Sequence, residues 1–260
     1  MNKFDHNAIY IGMTEQLLFS KNKYVRTDMS FLTKISSLDY GSRHRVLLIS
    51  YEKKLSDEKY LDILELLRIK YGIYFSTMCN NLLMCILPEK MIGIDHIKKI
   101  YHSLEELHGR LKLASSTVKY HLEESNIALQ EATRTYDMVD SINKYDERIL
   151  LYEDLGIYSL LYDLKDWDVF NSFYYSLFSD LWKYDNDNGA NLFETLELFF
   201  KNNCDRAKTS AELFIHENTL RYRLHQIEEI MNCDLKNVNT IADIVTAFKV
   251  RRMVQILDDV

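Results

Sequence analysis

The stretch His216-Glu217-Asn218-Thr219-Leu220-Arg221-Tyr222-Arg223-Leu224 decides how the C-terminal part of this chain folds. When this stretch and the residues that follow it are placed on a helix at about 100° per residue, four apolar positions fall within about 60° of one another: Leu220, Leu224, Ile227 and Met231. Four polar positions cluster roughly 140° away: Asn218, Arg221, Tyr222 and His225. The sequence therefore predicts a helix over about 218–231 with one buried face and one exposed polar face.

A shorter helical pattern, 206–214, precedes this helix after a break of one or two residues. Asp205 stands where a helix N-cap belongs, since its carboxylate can accept bonds from unpaired backbone N–H groups. Two short helices separated by a tight break, the second opening with polar and basic residues, are typical of a helix-turn-helix DNA-binding motif. This pattern favours gene regulation over catalysis.

The first of these two helices needs a surface that packs against its neighbours. Ala207 and Ala211, four residues apart, predict a small-residue face for close helix packing. We expect Leu213 and Phe214 to supply core contacts and Ile215 to lie in the turn.

The exposed side chains of the second helix suit a DNA duplex. Arg can pair with guanine and Asn with adenine, whereas Tyr and His can bind phosphate oxygens. Thr219 and Arg223 lie at the flank, better placed for phosphates than for bases. The predicted DNA-binding residues are His216, Asn218, Thr219, Arg221, Tyr222, Arg223 and His225. A polar face that only meets solvent remains the alternative.

Composition places the chain among soluble globular proteins of about two domains, with 260 residues, 47% apolar and 27% charged. Seven glycines and one proline indicate a helix-rich chain. No apolar run reaches the ~18 residues of a membrane span, and a signal peptide pattern is missing, so we expect a cytoplasmic protein without a membrane partner.

The net charge of −7 is unusual for a DNA-binding protein, but its distribution is uneven. Residues 201–225 hold five Lys and Arg against three acidic residues. DNA binding requires a basic patch, and a weak patch predicts modest affinity for one copy. We therefore expect double-stranded DNA as the partner and a homodimer as the binding species.

The pattern of cysteines and acidic residues favours no metal and no cofactor. Cys79, Cys85, Cys204 and Cys233 are scattered, so we expect reduced, buried thiols. Asp185-Asn186-Asp187-Asn188-Gly189 resembles the start of a calcium loop, but the twelfth position from Asp185 is Leu196, where a ligating glutamate belongs. We interpret this segment as a turn and a domain boundary.

The upstream sequence alternates between strand and helix patterns. Residues 7–38 predict two helices, one through Thr14–Leu18 and one through Phe31–Ile35. From residue 43 the predicted order is β-α-β-β-α-β-α-β. The strands are predicted at 45–51, 73–78, 82–87, about 111–118 and 149–152, with helices from Ser56 to Gly72, at about 94–108 and at about 122–140. A hairpin at Asn80-Asn81 implies a sheet with helices on one or both faces.

An unusually aromatic stretch follows at about 154–183. Phe170, Tyr174, Phe178 and Trp182 recur every four residues, which predicts a helix that buries one aromatic stripe. A platform on which nucleic-acid bases stack is the alternative, but no Arg or Lys is interleaved with the stripe.

The run from Ala211, Ala-Glu-Leu-Phe-Ile-His-Glu-Asn-Thr-Leu-Arg-Tyr-Arg-Leu, closely resembles the C-terminal helix-turn-helix of PucR/CdaR-type bacterial transcription regulators. The upstream strand and helix order resembles the ferredoxin-type, degenerate GGDEF-like domain that precedes this module in the family. Tyr152-Glu153-Asp154-Leu155-Gly156 is similar to the family's junction between the two. Asn232 replaces the family's usual Gly after the recognition helix, and Asn can form the same left-handed cap.

The resemblance implies an α+β fold, a GGDEF-like β-α-β-β-α-β-α-β domain followed by an all-α helix-turn-helix domain. The predicted domains are a helical segment at 1–40, the GGDEF-like domain at 41–152, an aromatic connector at 153–189 and the DNA-binding domain at 190–260. Family members usually carry a separate N-terminal sensory domain, and only about 40 residues precede the first strand here, so we expect either a shortened regulator or one whose effector binds the GGDEF-like domain. A small-molecule effector therefore stays open as a further partner.

The alternative from another class is a nucleotide cyclase. Such enzymes need a glycine-rich acidic loop at the central hairpin, but this hairpin reads Cys79-Asn80-Asn81-Leu82, without glycine or carboxylate. We therefore predict a sequence-specific DNA-binding regulator that is not an enzyme. A nucleotide-binding or protein-interaction module that has lost catalysis remains the second hypothesis.

Overall fold

The structure is a computed structural model that describes residues 3–19, 43–79, 81–142, 148–164 and 166–258. A five-stranded sheet forms the centre of its first part. The strands are β1 (Arg45–Tyr51), β2 (Ser76–Cys79), β3 (Leu82–Leu87), β4 (Leu111–Ser115) and β5 (Ile149–Leu151). They lie in the order β2-β3-β1-β4-β5. β4 and β5 pair in parallel, and the other neighbours pair antiparallel, so the sheet is mixed.

The helices of this part are α1 (Lys3–Phe19), α2 (Asp57–Tyr71), α3 (Ile94–His108) and α4 (Ser125–Met138). From β1 onward the order is β-α-β-β-α-β-α-β, which confirms the predicted order and the α+β class. The specific GGDEF-like arrangement stays a prediction.

Helices cover both faces of the sheet. Leu47, Ile49 and Tyr51 of β1 share one buried cluster with residues of α2 and α3, among them Ile63 and Ile100. Successive strand side chains point to opposite faces, so Val46 and Leu48, also fully buried, face the other side. There α4 packs on β1 and β4, and α1 packs on α4. The nearly continuous apolar run of β1 therefore results from burial on both faces.

Local signals set the ends of α2 as predicted. The Ser56 hydroxyl accepts the backbone N–H of Lys59 at 3.4 Å, and Gly72 ends the helix with φ +64°. Gly populates this left-handed conformation without a Cβ penalty, so the helix ends where the sequence places a glycine.

Several predicted boundaries were wrong by a few residues. β2 begins at Ser76 although Ile73 and Phe75 are buried, because those apolar side chains fill the core before the ladder starts. β4 ends at Ser115, three residues early. A short 3₁₀ helix, Leu122–Glu124, precedes α4 where one continuous helix was predicted. The predicted helix at Phe31–Ile35 lies outside the described residues.

The second part of the chain is helical. Its helices are α5 (Ile157–Leu164), α6 (Trp167–Asn188), α7 (Leu192–Lys201), α8 (Arg206–Glu212), α9 (Glu217–Ile230) and α10 (Val238–Asp258). The chain divides into two compact units, 1–159 and 160–260. The predicted connector 153–189 spans that division, and the four predicted domains remain predictions. Within the described ranges, no helix is both long and apolar enough to cross a membrane.

The aromatic stripe of α6 packs inside the second unit. Phe170, Tyr174 and Phe178 are buried, and α6 packs against α10. Phe178 lies at the centre, with the ring of Phe248 stacked at 5.0 Å and that of Phe193 edge-on at 5.2 Å. The stripe is therefore a core surface, as predicted, rather than a platform for bases.

The segment 185–189 is a helix end and not the predicted turn. α6 continues to Asn188 and stops at Gly189, whose φ is +61°. The Asp185 carboxylate accepts the backbone N–H groups of Leu192 and Phe193, each at 2.8 Å. An acidic group at a helix N-terminus satisfies unpaired donors and complements the helix dipole. Asp185 therefore fixes the start of α7.

The expectation of buried thiols was right only for Cys85, because Cys79 and Cys204 are exposed and Cys233 is half-buried. Cys85 lies on β3, and its burial raises the pKa of its thiol. Cys79 ends an edge strand, and Cys204 lies in the turn before α8, so both positions face solvent.

We expect a maleimide to modify Cys79 and Cys204 in the folded protein and Cys85 only after unfolding, because the reactive thiolate needs solvent access. Peptide mapping by mass spectrometry after short labelling measures this. A Cys85→Ala variant provides the control, since its fast labelling should equal that of the wild type. Modification of Cys85 at the rate of Cys79 in the native protein would contradict the packing of β3.

Candidate nucleic-acid interface

α8 and α9 meet at a tight turn that backbone hydrogen bonds hold in place. The Asp205 carboxylate accepts the N–H of Lys208 at 3.0 Å, which confirms it as the N-cap of α8. At the other end of α8, the Phe214 N–H donates to the Ala211 carbonyl and the Ile215 N–H donates to the Ser210 carbonyl. Phe214 takes φ +54° in this turn. The turn thus joins the two helices within a few residues, as in a helix-turn-helix.

His216 begins the second helix. Its Nδ1 accepts the backbone N–H of Asn218 at 3.1 Å, so the side chain acts as the N-cap of α9. This bond occupies Nδ1, and the residue as a whole is exposed. A DNA contact by His216 stays a prediction, and it is compatible with the cap only through Nε2.

The two faces of α9 divide as the sequence predicts. Leu220, Leu224 and Ile227 are buried against α6, α7 and α8. Met231, the fourth predicted member, is half-buried just beyond the helix end. The opposite residues are exposed: Asn218, Thr219, Arg221, Tyr222 and His225. We call Asn218, Arg221, Tyr222 and His225 the recognition face.

Arg223 packs against a neighbouring helix and is not fully exposed. Its side chain is half-buried, and Nη1 donates to the Thr195 hydroxyl at 3.1 Å. Thr195 is itself fully buried on α7. Arg223 therefore links α9 to α7, and its predicted phosphate contact would have to coexist with this bond.

Acidic neighbours surround His225. Its Nε2 lies 3.5 Å from the Glu229 carboxylate, and its Nδ1 lies 4.0 Å from that of Glu228. A protonated ring would pair with these carboxylates, which themselves repel phosphate. Within the recognition face, Asn218, Arg221 and Tyr222 are therefore better placed than His225 to contact DNA, because His225 lies beside two carboxylates.

The predicted packing surface of α8 was wrong. Ala207 and Ala211 are exposed, whereas Thr209 and Ser210 are buried. Hydroxyls can be buried here because they bond to backbone carbonyls: Thr209 to that of Asp205 at 2.6 Å and Ser210 to that of Ala207 at 3.0 Å. Small side chains of either kind permit close packing, so the alanine spacing alone did not identify the buried side.

Phe214 was also misassigned. Its side chain is 95% exposed instead of joining the core. The backbone leaves the helix at Leu213, so position 214 no longer lies on the buried side of α8.

Sequence reasoning missed Asn202, which stabilises the same region. Asn202 is buried after α7, and its amide donates to the Glu212 carboxylate at 3.2 Å. No sequence pattern marks this residue. The cap at Asn232 is confirmed, since that residue has φ +47°.

Among the residues that the structure describes, no group of three or more His, Cys, Asp or Glu could hold a metal ion.

Residues 192–250 match the PucR C-terminal helix-turn-helix domain, a span that runs from α7 into α10. The chain is 28% identical over 223 residues to the DNA-binding transcriptional activator AdeR of Bacillus subtilis (strain 168), covering 82% of this chain and 52% of that relative. It is 32% identical over 148 residues to the carbohydrate diacid regulator of Escherichia coli (strain K12), covering 55% of this chain and 37% of the relative.

This chain thus spans about half the length of the first of these relatives. A crystal structure of a regulator of polyketide synthase expression from Bifidobacterium adolescentis aligns with 97% of this chain and 94% of that one, at 18% identity and a TM-score of 0.43.

Proposed function

We propose that this chain, which belongs through residues 192–250 to the PucR-type regulators, is a sequence-specific DNA-binding transcription regulator. The observation that carries the proposal is the division of α9. Its apolar face is buried in the helical unit, and its N-terminal polar face lies in solvent. Helix-turn-helix proteins place this end of the second helix in the major groove.

The exposed side chains can be assigned separate roles. We assign base contacts to Arg221 and Asn218, whose groups can pair with guanine and adenine edges, and a phosphate contact to Tyr222. The first helix of such a motif crosses the DNA backbone. The exposed Arg206 and Lys208 of α8 are therefore phosphate contacts in this proposal. His216, Thr219, Arg223 and His225 complete the predicted interface at its edges.

A homodimer in the cytoplasm is the proposed working form. Few basic side chains surround the recognition face, so one copy supplies little counterion release and a weak electrostatic contribution. Two copies on a two-fold symmetric operator double that contribution, with half-sites about one helical turn apart.

Replacing Arg221 with Ala is expected to weaken binding by about 1–3 kcal/mol at the cognate sequence, because a bidentate guanine contact is lost. The cognate duplex can be obtained by selecting a random-sequence library with the wild-type protein. Fluorescence anisotropy at several salt concentrations then measures the affinity of each variant.

The Arg221→Lys variant is the matched control. Lys keeps the charge but lacks the planar fork, so discrimination between bases should fall while the salt dependence stays near that of the wild type. Arg221→Ala should reduce both. An unchanged footprint and affinity in Arg221→Ala would remove this residue from base recognition.

We propose that the first unit serves assembly or sensing without catalysis. The hairpin between β2 and β3, where a GGDEF-like enzyme would hold substrate phosphates, carries Asn81 at φ +64°. Its side-chain oxygen accepts the backbone N–H of Leu55 at 3.3 Å, an internal structural role. Incubation with GTP and magnesium should yield no cyclic dinucleotide. Formation of such a product would contradict the proposal.

A further inference from the structure

Phe214 combines two unfavourable features in the turn between α8 and α9. Its ring is 95% exposed, so it packs on nothing within the described residues. Its φ of +54° lies in the left-handed region, which disfavours bulky side chains and favours Gly or Asn. Among the described residues no packing contact offsets either feature, so the exposed ring is a candidate for an intermolecular contact.

Hydrogen bonds fix the backbone of the turn at Phe214, and the ring is exposed. The Phe214 N–H donates to the Ala211 carbonyl at 3.2 Å, and the Ile215 N–H donates to the carbonyl of the buried Ser210 at 3.0 Å. The His216 cap follows directly. Phe214 is therefore bracketed by hydrogen bonds on both sides.

Its place in the motif brings the ring to the duplex. The first helix of a helix-turn-helix crosses the DNA backbone, and the N-terminus of the second helix enters the major groove. The residue that joins them lies between these two contacts. Phe214 precedes Asn218, the first residue of the recognition face, by four residues along the chain.

We propose that Phe214 is an apolar DNA contact whose ring packs on a thymine methyl group or on the adjoining deoxyribose at the edge of the major groove. This inference rests on the proposed function. A neutral ring adds apolar contact area, and this area contributes binding free energy without counterion release. The contribution compensates in part for the weak electrostatic attraction of an interface with few basic side chains. A DNA contact also explains why a phenyl ring occupies a position suited to Asn or Gly.

The test compares Phe214→Asn with the wild type on the duplex selected by the wild-type protein. Asn accepts a positive φ, so the variant should fold, with a melting temperature at or above that of the wild type. Its affinity should fall about tenfold with an unchanged salt slope, because no charge is removed. Phe214→Leu, which keeps an apolar side chain, should retain part of the affinity. If Phe214→Asn does not fold, Phe214→Gly replaces it.

Duplexes with deoxyuridine in place of single thymines identify the contacted group. If replacing one thymine with deoxyuridine weakens binding by the wild type, and the same replacement does not weaken binding by Phe214→Asn, the ring contacts the methyl group of that thymine. If Phe214→Asn binds the selected duplex more weakly, but no deoxyuridine replacement changes the affinity of the wild type, the ring contacts the deoxyribose.

One result would overturn the inference alone, namely a selected duplex that Phe214→Asn binds as tightly as the wild type. If that variant also lost transcriptional regulation in vitro, the ring would be a protein contact. A wild-type protein that enriches no DNA sequence would instead overturn the proposed function together with this inference.

Discussion

Replacing Phe178 with Ala is expected to lower the free energy of unfolding of the helical unit by about 3–5 kcal/mol, the usual cost of truncating a buried Phe. Phe178 is fully buried on α6. Phe193, Phe248 and Trp182 surround it at ring distances of 5.2, 5.0 and 5.9 Å. No neighbouring helix can collapse into the space without moving another ring, so the cavity should persist.

Urea titration followed by tryptophan fluorescence measures this loss, since Trp182 contacts Phe178. Phe173→Ala is the matched control on the same helix, because that ring is 37% exposed and its loss should cost under about 1 kcal/mol. Equal destabilisation by the two variants would contradict the central position of Phe178. We also expect Phe178→Ala to weaken DNA binding, because α9 packs on α6.

Replacing Lys119 with Met is expected to destabilise the sheet unit by about 3–5 kcal/mol, as the removal of one partner from a buried ion pair does. The Lys119 ammonium lies 2.6 Å from the Glu131 carboxylate, and the two side chains are only 11% and 13% exposed. Thr117 donates to the same carboxylate through its N–H and its hydroxyl. Without Lys119 these bonds remain, but the buried negative charge is no longer compensated.

A double-mutant cycle separates the ion pair from side-chain packing. Glu131→Gln alone should destabilise because it leaves the Lys119 ammonium unpaired. The double variant Lys119→Met, Glu131→Gln contains neither charge and should be more stable than the sum of the single changes predicts. Denaturant titration measures the free energy of unfolding of each variant. If the loss in the double variant equals the sum of the losses in the two single variants, the pair contributes only through packing.

The helix-turn-helix was predictable from the sequence because helical periodicity is local. Leu220, Leu224 and Ile227 share one side of any helix that contains them, whatever surrounds it. The helix caps at Ser56, Asp205 and Asn232 depend on adjacent residues in the same way and were also predicted. The succession of strands and helices along the first unit followed from apolar runs of strand length and from helical patterns, whereas the order of the strands within the sheet was not predicted.

The failures share another cause. Periodicity assigns an angle to each residue but does not say which neighbouring element covers that angle. On α8 the covered side holds Thr209 and Ser210 instead of Ala207 and Ala211. The helical pattern placed Arg223 at the edge of the exposed face, but the structure shows that it donates a hydrogen bond to the Thr195 hydroxyl of α7.

The sequence by itself predicted a helix at about 218–231, found at Glu217–Ile230, with a buried apolar face and a polar face that includes Arg221. Those properties depend on residues within a few turns of one another. Only the tertiary structure decided that Arg223 binds α7 and that Phe214 leaves the core. Both outcomes depend on where other helices end and how closely they approach, which is set by packing between residues far apart in the chain.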